Sequence, residues 1–180
     1  MLRSHLAEAV LTGTAGIAAQ KAGNVALFDA AMAANFDVRP FIVAIATAVA
    51  DTKGVAAASY SSGVQDQMDL FNSCTPCAKY VSTAPASCAK AALPSCVNDV
   101  VAVDAQIYDF ETAVVQQGAP ASLAGKDANL QKDLVAADTA LLAMIRTGLA
   151  GDPAGFASAS SSVQASISSF TADVATIRTG

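Results

Sequence analysis

Four cysteines grouped between residues 74 and 96 carry the most concentrated chemistry in this sequence. Cys74 and Cys77 form a C-x-x-C motif around Thr75-Pro76, and Cys88 and Cys96 follow at wider intervals. Cysteine thiolates can bind a metal ion, exchange disulfides or form permanent crosslinks. The spacing of the cysteines and their neighbouring residues indicate which of these three uses applies.

Neither a metal site nor an oxidoreductase motif fits the cysteine spacing well. A common zinc site needs two close cysteine pairs, and the interval between Cys88 and Cys96 is too wide for the second pair. The single histidine, His5, lies far away in the sequence. A redox C-x-x-C normally follows a strand and opens a helix, and nothing near Cys74 alternates like a strand. We predict no metal and no cofactor, and we keep thiol-based redox chemistry at Cys74 and Cys77 as an alternative.

Two structural disulfides are the preferred interpretation, since they need only an oxidising compartment. Four cysteines allow three connectivities, and spacing alone does not choose among them. We favour the nested pairs Cys74–Cys96 and Cys77–Cys88, which would zip the two arms of the segment together at the entrance to a long helix. In the loop-entropy model such a bridge stabilises by about 3 kcal/mol. The same cysteines indicate an extracytoplasmic or secreted protein.

Other arrangements for metal binding or catalysis are missing. Asp66 and Asp69 bring two carboxylates together, but a calcium loop counted from Asp66 has Met68 and Leu70 where oxygen ligands belong. Two Glu and one His are too few for a di-metal helical bundle. Neither a G-x-S-x-G motif nor a Gly-rich phosphate loop ending in Lys occurs. We therefore predict a protein that is not an enzyme and has no catalytic residue.

Composition excludes further classes. Ten Lys and Arg against fifteen Asp and Glu give a net charge of −5, and no basic stripe exists to bind nucleic acid. Charged residues make up only 14%, so the surface must be largely Ala, Ser, Thr, Gln and Gly. No apolar run reaches the roughly 18 residues of a membrane span, and none is predicted. Ala occupies 42 of the 180 positions, which favours helix.

Helical periodicity is strongest after Pro94, where Ser95 is a candidate N-cap. Apolar residues spaced by three and four predict three long helices that end at glycine-containing turns. Their stripes lie within Val100–Val114, Leu123–Ile145 and Phe156–Ile177. Before the third, Asp152-Pro153 supplies an N-cap carboxylate and a proline suited to the first helical position.

The predicted fold class is all-α, an antiparallel up-down bundle of three to four long helices with a disulfide-stapled connecting segment. Short turns between long helices make neighbours antiparallel. A shorter helix carrying Val64, Met68 and Phe71 and ending near Asn72 precedes the segment 73–96, which its prolines make the most loop-like part of the chain. Residues 51–63 are either a linker or a poorly capped helix.

Residues 1–50 form a weakly specified helical region, and residues 51–180 form the bundle domain. The apolar run Phe41–Ala50 ends in Ala48-Val49-Ala50, which is typical of a leader h-region and its cleavage site. A leader starting at Met1 would carry an overlong n-region containing Glu8, Asp29 and Asp37, so a buried helix is preferred. Both interpretations stay open.

The last helix also carries a candidate contact face, composed of Ser158, Ser161, Ser162 and Ser169. These serines leave its outer surface nearly uncharged, and charges are normally depleted where proteins meet. In composition alone this Ser- and Ala-rich helix is loosely similar to secreted fungal hydrophobic-surface-binding proteins. That likeness rests on no motif and implies no site residue.

The leading functional hypothesis is a non-enzymatic, extracytoplasmic helical bundle that acts through protein–protein or surface contacts. The partner would be another protein, a second copy of the chain, or an apolar surface. One alternative is a carrier that holds an apolar small molecule or pigment between its helices. The other is the thiol-based redox protein already named.

Overall fold

The structure, a computed structural model, describes Gly23, residues 55–82, Cys88 and residues 90–179. Apart from the turn at Gly23, the region 1–50, its leader-like segment and residues 51–54 lie outside the described residues. The predictions made for them therefore stay predictions.

The described chain is all-α, with four long helices and one short helix, and residues 55–82 and 90–179 contain no strand. The helices are α1 (Ala57–Ser73), α2 (Thr75–Ser82), α3 (Leu93–Gln117), α4 (Ala124–Leu149) and α5 (Pro153–Arg178). Turns of 3-10 helix, Lys90–Ala92 and Ala121–Leu123, lead into α3 and α4.

Helix α5 follows its sequence pattern closely. Asp152 is the N-cap, and its Oδ1 accepts hydrogen bonds from the backbone N–H groups of Ala154 (3.1 Å) and Gly155 (3.0 Å). Pro153 occupies the first helical position, where a missing N–H costs nothing. All seven stripe residues are buried: Phe156, Ser160, Val163, Ile167, Phe170, Val174 and Ile177. The apolar stripe predicted within Phe156–Ile177 is confirmed.

Glycines with positive φ lie in the turns between the long helices. Gly118 follows α3 with φ 70°, and Gly151 lies between α4 and α5 with φ 70°, a conformation that side-chain-bearing residues rarely adopt. Gly148 is the last residue but one of α4, which ends at Leu149.

In the first half of the domain one open alternative is decided and two predictions need correction. Residues 57–63 are helical, so the poorly capped helix was the right alternative there, and Ala56 provides no side-chain cap. Ser95 is not an N-cap, because α3 already begins at Leu93 and Pro94 fits within its first turn. Residues 75–82 are helical rather than loop-like, since Pro76 also falls within a first helical turn.

Helix packing joins all five helices around one core. Helix α4 packs against α3 and α5, α1 packs against α3 and α5, and α2 packs against α1, α3 and α5. At the centre, the ring of Phe170 makes edge-to-face pairs with Phe71 (centroids 5.4 Å apart) and Phe110 (5.9 Å). Three helices therefore meet at one aromatic cluster.

Two acidic residues of the long helices are buried. Glu111 is 5% exposed and Asp138 is 2% exposed. Helices α3 and α4 each pack against at least two neighbours, so their buried faces are wider than a single stripe predicts.

Two close approaches depend on glycine. The side-chain amide of Gln117 lies where a Cβ on Gly63 would be, and the same amide donates to Ser59 O (3.0 Å). A Cβ on Gly148 would overlap Cγ2 of Val97, so the end of α4 lies tightly against the start of α3.

Candidate functional site

None of the fully exposed residues of α5 from Ala154 to Thr176 is charged, and a cation, Lys126 of α4, donates from its Nζ to Thr176 O (2.8 Å) at the end of this surface. We call this surface the charge-free face, and its exposed residues are Ala154, Ser158, Ser161, Ser162, Ala165, Ser168, Ser169, Ala172, Ala175 and Thr176. All four serines predicted as a contact face belong to it. At 1.5 Å per residue the face is about 33 Å long.

Several hydroxyl groups on this face are already hydrogen-bonded within the helix. Ser161 Oγ donates to Ala157 O (3.3 Å), Ser168 Oγ to Gln164 O (2.9 Å), and Thr176 Oγ1 to Ala172 O (2.7 Å). A polar group that keeps its hydrogen bond costs much less to bury than one that loses it. The face is therefore less polar in effect than its serine content suggests.

The single charged residue between Asp152 and Arg178 is Asp173, and it is partly buried rather than exposed. Burial raises the pKa of Asp173 above its ordinary value, and the charge of Asp133 and a hydrogen bond with it raise the pKa further, while Lys132 opposes the shift.

The four cysteines form two local disulfides, Cys74–Cys77 and Cys88–Cys96. The nested connectivity was wrong. Helix α2 begins directly after Cys74, and its first turn brings Cys77 back to a Cα–Cα distance of 5.1 Å. In the loop-entropy model the two local bridges stabilise by about 2 and 2.5 kcal/mol.

A buried tyrosine–carboxylate pair joins α1 to α4. Tyr60, fully buried, donates its hydroxyl hydrogen bond to Asp127 Oδ1, and Gln131 Nε2 donates to the same oxygen at 3.5 Å. Burial raises the pKa of Tyr60 far above its ordinary value, with the Asp127 hydrogen bond and charge adding to it. Burial also raises the pKa of Asp127, although the hydrogen bonds from Tyr60 and Gln131 lower it.

Sequence reasoning missed this pair, although the spacing held a signal. Tyr60 lies four residues before Val64, so the stripe of α1 continues one turn earlier than predicted. Nothing in the local sequence of α4 distinguishes Asp127 from a surface carboxylate. Its role as a hydrogen-bond partner comes from the packing of α1.

A shallow open groove of about 600 Å³ lies where the start of α1 meets the end of α5. Small residues such as Ala57 and Ser61 line it together with Asp66, Leu123 and Arg178. The groove is open to solvent, whereas an apolar ligand or pigment needs a site that encloses it.

Within the described residues, no group of three or more His, Cys, Asp or Glu is placed to hold a metal ion. None of the helices in that part of the chain combines the length and apolarity needed to cross a bilayer. Asp66 and Asp69 are both exposed, and Gln65 Nε2 donates to Asp69 Oδ1 (2.8 Å), as a solvated helix surface would.

Comparison with known protein families, with curated protein sequences and with solved structures finds no match for this chain.

Proposed function

We propose that this chain is a non-enzymatic, exported helical-bundle protein that acts by contact, and that its charge-free face pairs with the same face of a second copy. The observation that supports the proposal is the exposed surface of α5, where none of the fully exposed residues from Ala154 to Thr176 is charged and Asp173 is partly buried. A surface without charge offers no complementarity to a charged partner and no repulsion to its own copy.

Small side chains favour a contact of this kind. Ser and Ala lose little rotamer freedom when they are buried, and they let two helices approach closely. A strip about 33 Å long and 10 Å wide buries roughly 330 Å² on each copy. The total of roughly 650 Å² lies below the ~1,200 Å² of stable interfaces, so we expect weak and reversible pairing.

The proposal includes an up-down antiparallel arrangement of the four long helices. The contact of Gly148 with Val97 supports opposite directions for α3 and α4. Ser61 Oγ donates to Ile177 O (3.1 Å), and Phe71 pairs with Phe170, which supports opposite directions for α1 and α5.

Export is also part of the proposal. Two disulfides, which persist in oxidising compartments, support it. A non-reducing peptide map of protein from its native source, taken with its cellular fraction, tests this. Free thiols in a cytoplasmic fraction would contradict export.

Sedimentation velocity from low micromolar to near-millimolar protein tests the pairing. The test variant is Ala165→Glu with Ala172→Glu, which puts two charges on the charge-free face. The matched control is Ala105→Glu with Ala136→Glu, at exposed helical alanines of α3 and α4. We expect the wild type and the control to associate as concentration rises and the test variant to stay monomeric.

Two outcomes would contradict this proposal. A wild type that stays monomeric throughout would exclude pairing, and equal loss in both variants would exclude the charge-free face as its location. Adsorption to polystyrene beads that only the face variant loses, with no self-association, would assign the face to a solid apolar surface instead.

A further inference from the structure

The Cys74–Cys77 disulfide lies at the N-terminus of α2, in a setting that favours a thiolate. Cys74 directly precedes the first residue of the helix, and the backbone N–H of Cys77 points at Cys74 Sγ (3.2 Å). The first turn of a helix carries unsatisfied N–H groups and a partial positive charge. No acidic residue occurs in the first turn of α2 to oppose a negative sulfur.

The carbonyl end of α1 also lies close, and its partial negative charge acts in the opposite sense. Two of its carbonyl groups already accept hydrogen bonds: Phe71 O from Cys74 N–H (3.2 Å) and Leu70 O from Ser73 Oγ (2.7 Å). The sulfur itself receives the N–H of α2. The positive helix end therefore dominates at Cys74 Sγ.

The two sulfurs differ in their accessibility. Cys74 is partly exposed, whereas Cys77 is 0% exposed within the core. Of the two cysteines, only Cys74 has solvent-exposed surface that an external thiolate can approach. Leu70, the most exposed large apolar residue of the described chain at 56%, lies in the last turn of α1, four residues before Cys74.

We propose that Cys74–Cys77 is an exchangeable disulfide that oxidises a dithiol, while Cys88–Cys96 is a permanent crosslink. This activity goes beyond the proposed contact function and does not depend on it. One thiolate of the dithiol attacks Cys74 Sγ, a mixed disulfide forms, and the Cys74–Cys77 bond breaks with its electron pair on Cys77 Sγ. Cys77 takes up a proton.

The second thiolate of the dithiol then attacks the other dithiol sulfur, which is bonded to Cys74 Sγ in the mixed disulfide. That bond breaks, and Cys74 leaves as a thiolate. The dithiol leaves as a disulfide. Two electrons pass to the Cys74–Cys77 pair. Of the two thiol protons of the dithiol, one is balanced by the proton that Cys77 takes up, and the other goes to solvent while Cys74 stays a thiolate. The helix N-terminus stabilises the Cys74 thiolate as leaving group.

Titration of the oxidised full chain with dithiothreitol tests the exchange, with each cysteine pair quantified by differential alkylation and mass spectrometry. We expect Cys74–Cys77 to be reduced first, while Cys88–Cys96 stays oxidised and the far-ultraviolet circular dichroism is unchanged. Reduction of both pairs together, or loss of helix on reduction of Cys74–Cys77 alone, would overturn the proposal.

Alkylation kinetics test the thiolate at Cys74. In Cys77→Ser, we expect iodoacetamide at mildly acidic pH to modify folded Cys74 at least about tenfold faster than the same thiol in urea. In Cys74→Ser, Cys77 should instead be protected by the fold. Equal rates for Cys74 in the folded and unfolded chain would overturn the proposal.

A charge variant separates the helix effect from simple exposure. In the Cys77→Ser background, Thr75→Asp places a carboxylate in the first turn of α2, and Thr75→Asn is its uncharged control. Thr75 is exposed, so both should fold. We expect Asp to slow alkylation of Cys74 several-fold and to raise its pKa relative to Asn. Identical pH profiles for the two variants would contradict the role of the helix N-terminus.

Discussion

The two glycines of α4 predict opposite results for the same substitution. Ala in place of Gly within a helix usually stabilises by ~0.5–1 kcal/mol, because Ala loses less conformational freedom on folding. A Cβ on Gly125 would meet nothing within 4 Å, so Gly125→Ala should show this gain. A Cβ on Gly148 would overlap Cγ2 of Val97 and lie 3.4 Å from the ring of Phe156.

The overlap at Gly148 should outweigh the gain in helix propensity. Val97 is buried within α3, where β-branched side chains keep one preferred rotamer, so its methyl group has little freedom to move. Overpacking of this kind costs ~1–3 kcal/mol. We therefore expect Gly148→Ala to be less stable than Gly125→Ala by about 1–3 kcal/mol.

Urea unfolding of the oxidised variants, followed by circular dichroism, measures this difference. Adding Val97→Ala to Gly148→Ala makes room for the new methyl group, so the double variant should lose less stability than the sum of the two single losses. If Gly148→Ala were as stabilising as Gly125→Ala, the close contact between α3 and α4 would be refuted.

Three further predictions concern single residues of α5. Phe170→Ala should cost about 3–5 kcal/mol of unfolding free energy in urea, and Phe170→Leu at least about 1 kcal/mol less, because Leu keeps most of the volume and loses the two ring pairs; equal losses would contradict this. The folded state holds the proton of Asp173 more tightly than the unfolded chain does, so wild-type stability should fall as pH rises through the range above the ordinary carboxyl pKa. Asp173→Asn should then be more stable than wild type at neutral pH, with the difference vanishing in acid; a difference independent of pH would contradict the raised pKa of Asp173. Asp152→Ala should cost about 1 kcal/mol by urea unfolding and Asp152→Asn much less, whereas equal costs would assign the effect to charge rather than capping.

The sequence predicts α5 in detail because three independent signals agree there. The cap at Asp152, the proline after it and the unbroken stripe to Ile177 all favour the same helix. The sequence does not predict where α1 begins, because its first turn contains only Ala and Ser before Tyr60, with no cap and little periodicity. Where local sequence signals are this weak, tertiary packing determines where the helix begins.

The disulfides and the buried acids could not be predicted from spacing alone. Cys74 and Cys77 pair because α2 is helical, and the prolines of that segment had indicated a loop. Glu111 and Asp138 lie at the edges of their stripes, and only the presence of two neighbours for each helix decides that they are buried. The charge-free face, by contrast, was predictable, because an opposite stripe as regular as that of α5 fixes which residues remain outside.

The close approach of Gln117 to Gly63 couples sequence change at two positions that are distant in the chain. Any larger residue at position 63 would displace the amide of Gln117, and with it the hydrogen bond to Ser59 O. Because the flexible end of Gln117 can move aside, a longer residue at 63 would cost mainly that hydrogen bond, and in a diverging lineage it should occur more often beside a shorter residue at 117. Gly125, with open space around its Cα, should drift alone. An alignment of sequences descended from this chain should show that correlation, because it reflects the packing of α1 against α3.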